Sequence, residues 1–409
     1  MAVAGLRVLT FSSLFPSAAR ARHGIFVETR LRHLVRDCGI DSRVIAPVPW
    51  FPSRSPRFGP YALFAATPRR DVREGLPVSY PRYFMLPRWG VPFQPNSMAW
   101  AATGDIRALS TSGWRPDVID AHYFYPDGVA ASIVAERLGV PFVVTARGTD
   151  INVLARMPGP ARRILDTARR AAAVMAVSSG LKEAMVALGV DAGKITVLRN
   201  GVDIDLFRPE DRRAAKENLG LSGSPMVAMV GNLVPEKDHA LAMRALARLP
   251  GCHLAIVGDG PERPALQSLA KQLAIADRVT FLDNMAQSRL RGLYSAADAT
   301  VLTSTREGWP NVVLESMACG TPVVSVDVGA VREMITRPEV GYVAPHRDPQ
   351  ALADGIARLM RAPPAPEEVR AHARQFDWYS ISRAQFEILG RVAGSEPAGI
   401  ECHASASAR

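Results

Sequence analysis

The stretch Arg306-Glu307-Gly308-Trp309-Pro310-Asn311-Val312-Val313-Leu314-Glu315, continued by Ser316-Met317-Ala318-Cys319-Gly320-Thr321-Pro322-Val323-Val324, reads as a loop, a helix and a strand. Pro310 suits the first helical position and Gly320 the position just past the helix end. Seven residues separate Glu307 from Glu315, so one carboxylate falls on a tight loop and the other inside the helix. The N–H groups of roughly Asn311 to Val313 have no partner within a helix and face the same space. A diphosphate fits such amides, and a carboxylate beside it can take hydroxyls. Those are the needs of a sugar nucleotide.

Outward from this unit, apolar runs of strand length alternate with helical patterns. Strands are expected at 6–11, 43–48, 117–121, 141–146, 173–177 and 195–198, and again at 226–230, 253–257, 279–282, 299–303 and 322–326. Helices are expected between them, at 26–38, 129–138, 181–188, 240–249 and 264–273. Such alternation predicts parallel sheets covered by helices on both faces. The strand count exceeds one comfortable doubly wound sheet, so two α/β domains are expected. The breaker signals Asn200-Gly201 and Arg208-Pro209 place the boundary between 200 and 218. Domains of 1–200 and 201–375 follow, with a helix at about 376–393 and a small, polar, disordered tail at 394–409. The Pro-, Arg- and aromatic-rich segment 50–100 reads as a surface insertion.

With 48% hydrophobic and 22% charged residues among 409, this is an ordinary globular composition. No apolar run reaches the length of a membrane span, and the N-terminus runs into a strand without a signal-peptide pattern. Cys38, Cys252, Cys319 and Cys402 have no ligand spacing and read as reduced thiols of a cytoplasmic protein. The net charge of +10 is unevenly placed: residues 1–200 carry 26 Lys and Arg against 14 Asp and Glu, residues 201–409 carry 23 against 25. The basic half implies an anionic partner. No stacking platform or recognition motif points to nucleic acid. Arg54, Arg57, Arg69, Arg70, Arg73, Arg82 and Arg88 interleave with Phe51, Phe58, Tyr61, Phe64, Tyr83, Phe84, Trp89 and Phe93. That pattern suits the anionic face of a membrane, the alternative being a solvated basic surface.

Ligands of doubly wound sheets bind beyond the carboxyl ends of the strands. There, Gly231-Asn232 would let the backbone approach a ligand, and Lys237 would reach a phosphate. Gly258-Asp259-Gly260-Pro261 reads as a ligand-facing turn or as a plain strand exit. His23-Gly24 reads as a phosphate-facing turn or a plain helix entry. His122, Arg147 and Asp150 stand at strand ends of the first domain. A structural, hydrogen-bonded histidine is the other reading of His122, and a loop cap that of Asp150. No metal-ligand spacing, P-loop or GxSxG is present, and the absence of GxGxxG after the first strand argues against a nicotinamide enzyme.

The run 306–324 resembles the signature of the retaining family 4 glycosyltransferases, which have the GT-B architecture: two Rossmann-like domains facing a cleft. Val177-Ser178-Ser179, Asn200-Gly201-Val202-Asp203 with Phe207, Gly231 with Lys237, Gly258–Pro261, Asp298 and Glu333 fall in the family's order. The resemblance implies that Glu315 binds the donor ribose and Glu307 faces the donor sugar, while Lys237 neutralises the leaving diphosphate. The backbone of Gly308, Trp309, Pro310, Asn311 and Val312 and the loop Gly231-Asn232 would line the donor, Asp283 would lie against the base, and Gly24 would approach the phosphates. His122 and Arg147 would assist catalysis and Asp150 would stand on the acceptor side. The terminal helix after Trp378 would cross back onto the first domain. Two departures stand out: Asn232 occupies a position that is often Arg in the family, and Arg147 one that is often His.

The resemblance thus implies transfer from a UDP- or GDP-sugar to a lipid-linked or oligosaccharide acceptor, with no cofactor and no metal. The segment Phe15-Pro16 to Glu28 is also similar to a bacterial exopolysaccharide and teichuronic-acid subgroup. A nucleotide-sugar-binding protein without turnover and a GT-B epimerase are the competing readings.

Overall fold

The computed structural model describes residues 5–85, 90–221 and 224–394. Arg88, Trp89, Cys402 and the tail expected after Gly394 lie outside them. The contacts divide the chain into two units, one running to Asn200 and resuming at Trp378, the other comprising Gly201–Asp377.

The first unit is built on strands β1 (Arg7–Phe11), β2 (Asp41–Ile45), β3 (Val48–Pro49), β4 (Arg70–Arg73), β5 (Leu76–Ser79), β6 (Arg82–Tyr83), β7 (Val118–His122), β8 (Phe142–Ala146), β9 (Ala173–Ala176) and β10 (Ile195–Val197). Its main sheet has the order β10-β9-β8-β7-β1-β2-β5-β4. Every pairing in it is parallel except β4 with β5. β7 and β8 are buried along their whole length, as strands covered by helices on both faces must be. Helices α1 (Ile25–Cys38), α2 (Pro60–Ala66), α3 (Gln94–Thr111) and α4 (Val129–Leu138) are among those connecting the strands. The C-terminal helix Trp378–Val392 belongs to this unit. Its Phe386 and Leu389 join Leu31 and Leu34 of α1 in one apolar core, and its Trp378 stacks on His33 with ring centroids 5.2 Å apart.

The second unit carries β11 (Met226–Val230), β12 (His253–Val257), β13 (Val279–Leu282), β14 (Ala299–Leu302), β15 (Val323–Val326) and β16 (Gly341–Ala344). All pairings are parallel, in the order β13-β12-β11-β14-β15-β16. Numbered within the unit this is 3-2-1-4-5-6, the Rossmann order, whose switch point lies between β11 and β14. The loops after those two strands carry Gly231 to Lys237 and Thr303 to Pro310.

Segment 50–100 departs from the surface insertion expected of it. β5 extends the main sheet beside β2, and Leu76, Val78 and Tyr80 are core residues. The run was illegible because β5 is four residues long with Pro77 inside it. Pro77 is opposed by Val72 of the edge strand β4, whose Arg70 and Val72 are exposed; proline is tolerated near an edge. β16, with Gly at one end, likewise lacked a strand-like pattern. Pro310 is not the first residue of its helix but its N-terminal cap, in extended conformation (ψ 93°).

Candidate active site

In the Gly201–Asp377 unit two loops at the switch point are zipped together. Thr305 N–H donates to the Glu236 carbonyl at 2.8 Å, and Thr303 Oγ1 donates to the carbonyls of Lys237 (3.0 Å) and Asp238 (2.8 Å). Arg347 binds the Thr303 and Ser304 carbonyls and the Asp238 carboxylate, at 2.7 to 3.0 Å. The clamp places Lys237 Nζ 2.6 Å from Glu307 Oε1, with both side chains partly open to solvent. Gly231 lies against the stem of Lys237.

The Gly258–Pro261 turn resolves as a packing device. A Cβ on Gly258 would lie 1.9 Å from the Gly231 carbonyl oxygen, so only glycine lets the β12 exit seat the β11 exit.

Glu315 sits in the Asn311–Ala318 helix, partly buried, and accepts a hydrogen bond from Tyr294 Oη at 2.9 Å. Burial pushes its pKa up to about 7, against which the Tyr294 hydroxyl works. A carboxylate held at such a cost is a mark of functional sites. The amide set at the helix start is smaller than expected, since Val313 N–H already donates to the Pro310 carbonyl at 3.1 Å. Trp309 turns its indole inward against Phe376, 5.9 Å between centroids, so its side chain is core and only its backbone is available to a ligand. Gly308, Asn311 and Val312 are partly exposed and Asn232 is exposed. Asp283 is exposed and paired with Arg263 at 2.6 Å.

In the other unit the switch point lies between β1 and β7. The loop after β1 doubles back so that Gly24 (φ +72°) caps α1; a Cβ there would lie 2.2 Å from the Leu14 carbonyl. Asp127 holds this loop, accepting from the Ser13 N–H and from Ser13 Oγ, the latter at 3.0 Å. Burial raises the Asp127 pKa to about 7, opposed by those Ser13 bonds. His23 Nε2 lies 3.1 Å from the Ser13 carbonyl oxygen.

His122, Arg147 and Asp150 come together, but each is engaged within the unit. Arg147 Nη2 is 2.6 Å from His122 Nδ1, making that nitrogen the acceptor and leaving the proton on Nε2, 3.4 Å from Asp120 Oδ2. Burial drives the His122 pKa down to about 4, so the ring is neutral at pH 7. Arg147 also donates to Asn200 Oδ1 at 2.9 Å, and burial lowers its pKa to about 9, which keeps it charged. Asp150 is fully buried and accepts the N–H groups of Phe124, Arg147 and Gly148 at 2.8 to 3.1 Å. Its observed part is that of a loop cap, the second of the two readings its position allowed.

The sequence reading missed Arg30 and Gln385. Fully buried Arg30 donates to Gln385 Oε1 (2.6 Å) and Asn200 Oδ1 (3.2 Å), and Gln385 Nε2 donates to Asp120 Oδ2 (2.7 Å). The partners lie 170 or more residues from Arg30, so no local pattern announces them. Tyr294, Arg347 and Asp127 were missed as well, their partners lying 21 to 114 residues away on other elements.

Residues 24–206 match the model of glycosyltransferase family 4, and residues 211–376 match that of the group 1 glycosyl transferases. A protein of Bacillus subtilis named as a teichuronic acid biosynthesis glycosyltransferase, TuaC, is 31% identical over 393 residues, 93% of this chain and 95% of its own. The chain belongs to glycosyltransferase family 4. A D-inositol 3-phosphate glycosyltransferase of Mycobacteroides abscessus is 34% identical over 320 residues, 73% of this chain and 71% of its own. Among solved structures, sucrose-phosphate synthase of Thermosynechococcus elongatus superposes with a TM-score of 0.77 at 20% identity, covering 95% of this chain and 99% of that one. HepE of Anabaena in complex with UDP gives 0.73 at 22% identity, covering 95% and 100%. These likenesses show the GT-B fold of this family 4 glycosyltransferase, with the Gly201–Asp377 unit as the one in Rossmann order.

Among the described residues no His, Cys, Asp and Glu cluster could hold a metal ion, and no helix is long and apolar enough to cross a membrane. Cys38, Cys252 and Cys319 are buried and none of them forms a disulfide among the described residues.

Proposed function

We propose that this glycosyltransferase moves a sugar, with retention of anomeric configuration, from a UDP- or GDP-sugar to a lipid-linked or oligosaccharide acceptor in cell-surface polysaccharide synthesis. The observation that carries the donor side is the Lys237–Glu307 pair at the switch point, beside the helix that bears Glu315. As the anomeric bond breaks, positive charge grows on the sugar and negative charge on the diphosphate. Lys237 answers the negative charge, aided by the amides at Gly308 to Val312. Donor binding would draw Lys237 Nζ toward the phosphates and free Glu307 for the sugar hydroxyls. Glu315 keeps Oε1 for the ribose while Oε2 holds Tyr294.

Cationic Arg147 and neutral His122 are held rigidly by Asn200 and Asp120, and a positioning role suits them. In the front-face route argued for retaining members of the family, the leaving phosphate takes the acceptor proton, so neither glutamate need act as nucleophile. Charge supplied by Lys237 and amides stands where other transferases use a metal.

We place the enzyme at the cytoplasmic face of an anionic membrane. Trp50, Phe58, Tyr61 and Leu63 are exposed around α2, Phe51 joins Phe58 and Tyr61 in a ring cluster, and Arg57 lies over Phe58. Aromatics set among arginines suit a headgroup region.

The test is incubation with labelled UDP- and GDP-sugars and a polyprenyl-linked acceptor, followed by NMR of the product. An α-linked product from an α-donor is expected. A β-linked product would overturn retention. Epimerised nucleotide, or donor bound and recovered unchanged, would replace the transferase reading.

A further inference from the structure

Away from the strand ends, the first unit holds a cavity of about 750 Å³ between α3, the end of α4 and the region of β6. Its walls carry Arg69, Arg82, Arg107 and Arg137, and beside them Trp100. Trp100 is 74% exposed on a helix whose core face is made by Pro95, Met98, Ala99 and Ala102, so packing does not need the indole. Trp100, Gly104 and Arg107 recur at i, i+4 and i+7 and therefore share one face of α3 over roughly 10 Å. Nothing stands within 4 Å of where a Gly104 side chain would begin, so the cavity floor is open there.

The charges do not balance. Asp105 is the one acid in the lining, and it lies 3.6 Å from Arg70 Nη2, outside the cavity. Arg137 Nη1 makes a long bond (3.4 Å) to Thr103 Oγ1. Arg82 gives Nη2 to the Thr67 carbonyl, while its Nη1 is buried and makes no hydrogen bond. Burial, then the guanidiniums of Arg69, Arg20 and Arg54, lowers the Arg82 pKa. Four guanidiniums in the lining against one carboxylate, itself shared with Arg70, leave an excess of positive charge that an external anion would offset. Their planar forks match carboxylates two bonds at a time.

We propose that this cavity binds an acidic saccharide, its carboxylates taken by Arg69, Arg82, Arg107 and Arg137 and the apolar face of one sugar ring laid on Trp100. The inference rests on the transferase reading and specifies its acceptor: a uronate-bearing glycan gripped at a subsite apart from the strand-end loops. The size suits a short oligosaccharide, and the face of α3 from Trp100 to Arg107 spans about two sugar rings. A cavity lined by four arginines and one indole differs from the ring cluster around α2, which offers several apolar side chains at the surface. The consequence for the reaction is an acceptor preference set by charge and chain length.

The experiment is titration calorimetry of the full chain with trigalacturonate and with its carboxyl-reduced neutral trimer. Wild type is expected to bind the acidic trimer, more weakly as salt rises, and not the neutral one. Trp100→Ala, Arg107→Gln and Arg137→Gln, all at the surface, should each weaken binding about tenfold. Their thermal shift with UDP or GDP should equal that of wild type, which also reports their folding. No affinity of wild type for the acidic trimer, equal affinity for both trimers, or undiminished affinity in all three variants would overturn the proposal. So would binding of phosphatidylglycerol vesicles that these variants lose while the trimer fails to bind, which would assign the cavity to lipid headgroups. Failure of the transferase reading would show separately, as no nucleotide shift and no turnover in wild type.

Discussion

Glu315→Gln should stabilise the free enzyme at alkaline pH while removing its response to the donor nucleotide. In the folded chain the Glu315 pKa is raised to about 7 from an ordinary 4.5. The native state therefore binds more protons than the unfolded state between these values, and this group's contribution to stability falls as pH rises from about 4.5 to 7. Below 4.5 it costs nothing; above 7 the full cost of roughly 3 kcal/mol is present. Glutamine keeps an oxygen for the Tyr294 hydroxyl and carries no charge to desolvate. For a domain of this size about 1 kcal/mol moves Tm by 2–4 °C, so the variant should melt roughly 6–12 °C above wild type at pH 8 and level with it at pH 4.5. Thermal unfolding followed by circular dichroism at both pH values, with and without UDP or GDP, reads all of this. A variant no more stable than wild type at pH 8, or equally stabilised at pH 4.5, would refute the desolvation argument. A retained nucleotide shift would refute the assignment of Glu315 to the donor ribose.

Lys237→Ala should leave unfolding nearly unchanged, since the pair with Glu307 is partly exposed, yet reduce transfer by at least about 100-fold; near wild-type turnover would remove Lys237 from the mechanism. Gly24→Ala should destabilise by at least about 2 kcal/mol, because a left-handed residue with a side chain costs 1–2 kcal/mol before the overlap with Leu14 is counted. An unchanged urea midpoint would contradict it. The protein should sediment with phosphatidylglycerol vesicles at low salt and release as salt rises, and Trp50→Ser with Phe58→Ser should weaken this. Failure to sediment would end the membrane proposal.

The strands from β7 through β15 lay within a residue or so of where their apolar runs place them; the central ones, such as β7, β8, β14 and β15, are buried throughout and need continuous apolar sequence. Strand β5 and the edge strand β4 were hidden in a Pro- and Arg-rich stretch, since an edge tolerates residues that a central strand does not. The positions of Glu307, Glu315 and Lys237 on their loops and helix could be read because Gly and Pro residues mark those turns. For Asp150 two readings stood side by side, because a carboxylate that caps a loop and one that meets a ligand are the same letter.

What the sequence alone determined about this protein is its alternating α/β construction and the place of the loops that follow β11 and β14, both consequences of local spacing. Only the tertiary structure decided how those residues are employed. It put Lys237 on Glu307, raised the pKa of Glu315 by burying it against Tyr294, and joined Arg30, Gln385 and Asn200 beneath His122 and Arg147. Hydrogen bonds and desolvation depend on which distant segments meet, and chain positions 170 residues apart carry no trace of that meeting until the sheet is formed.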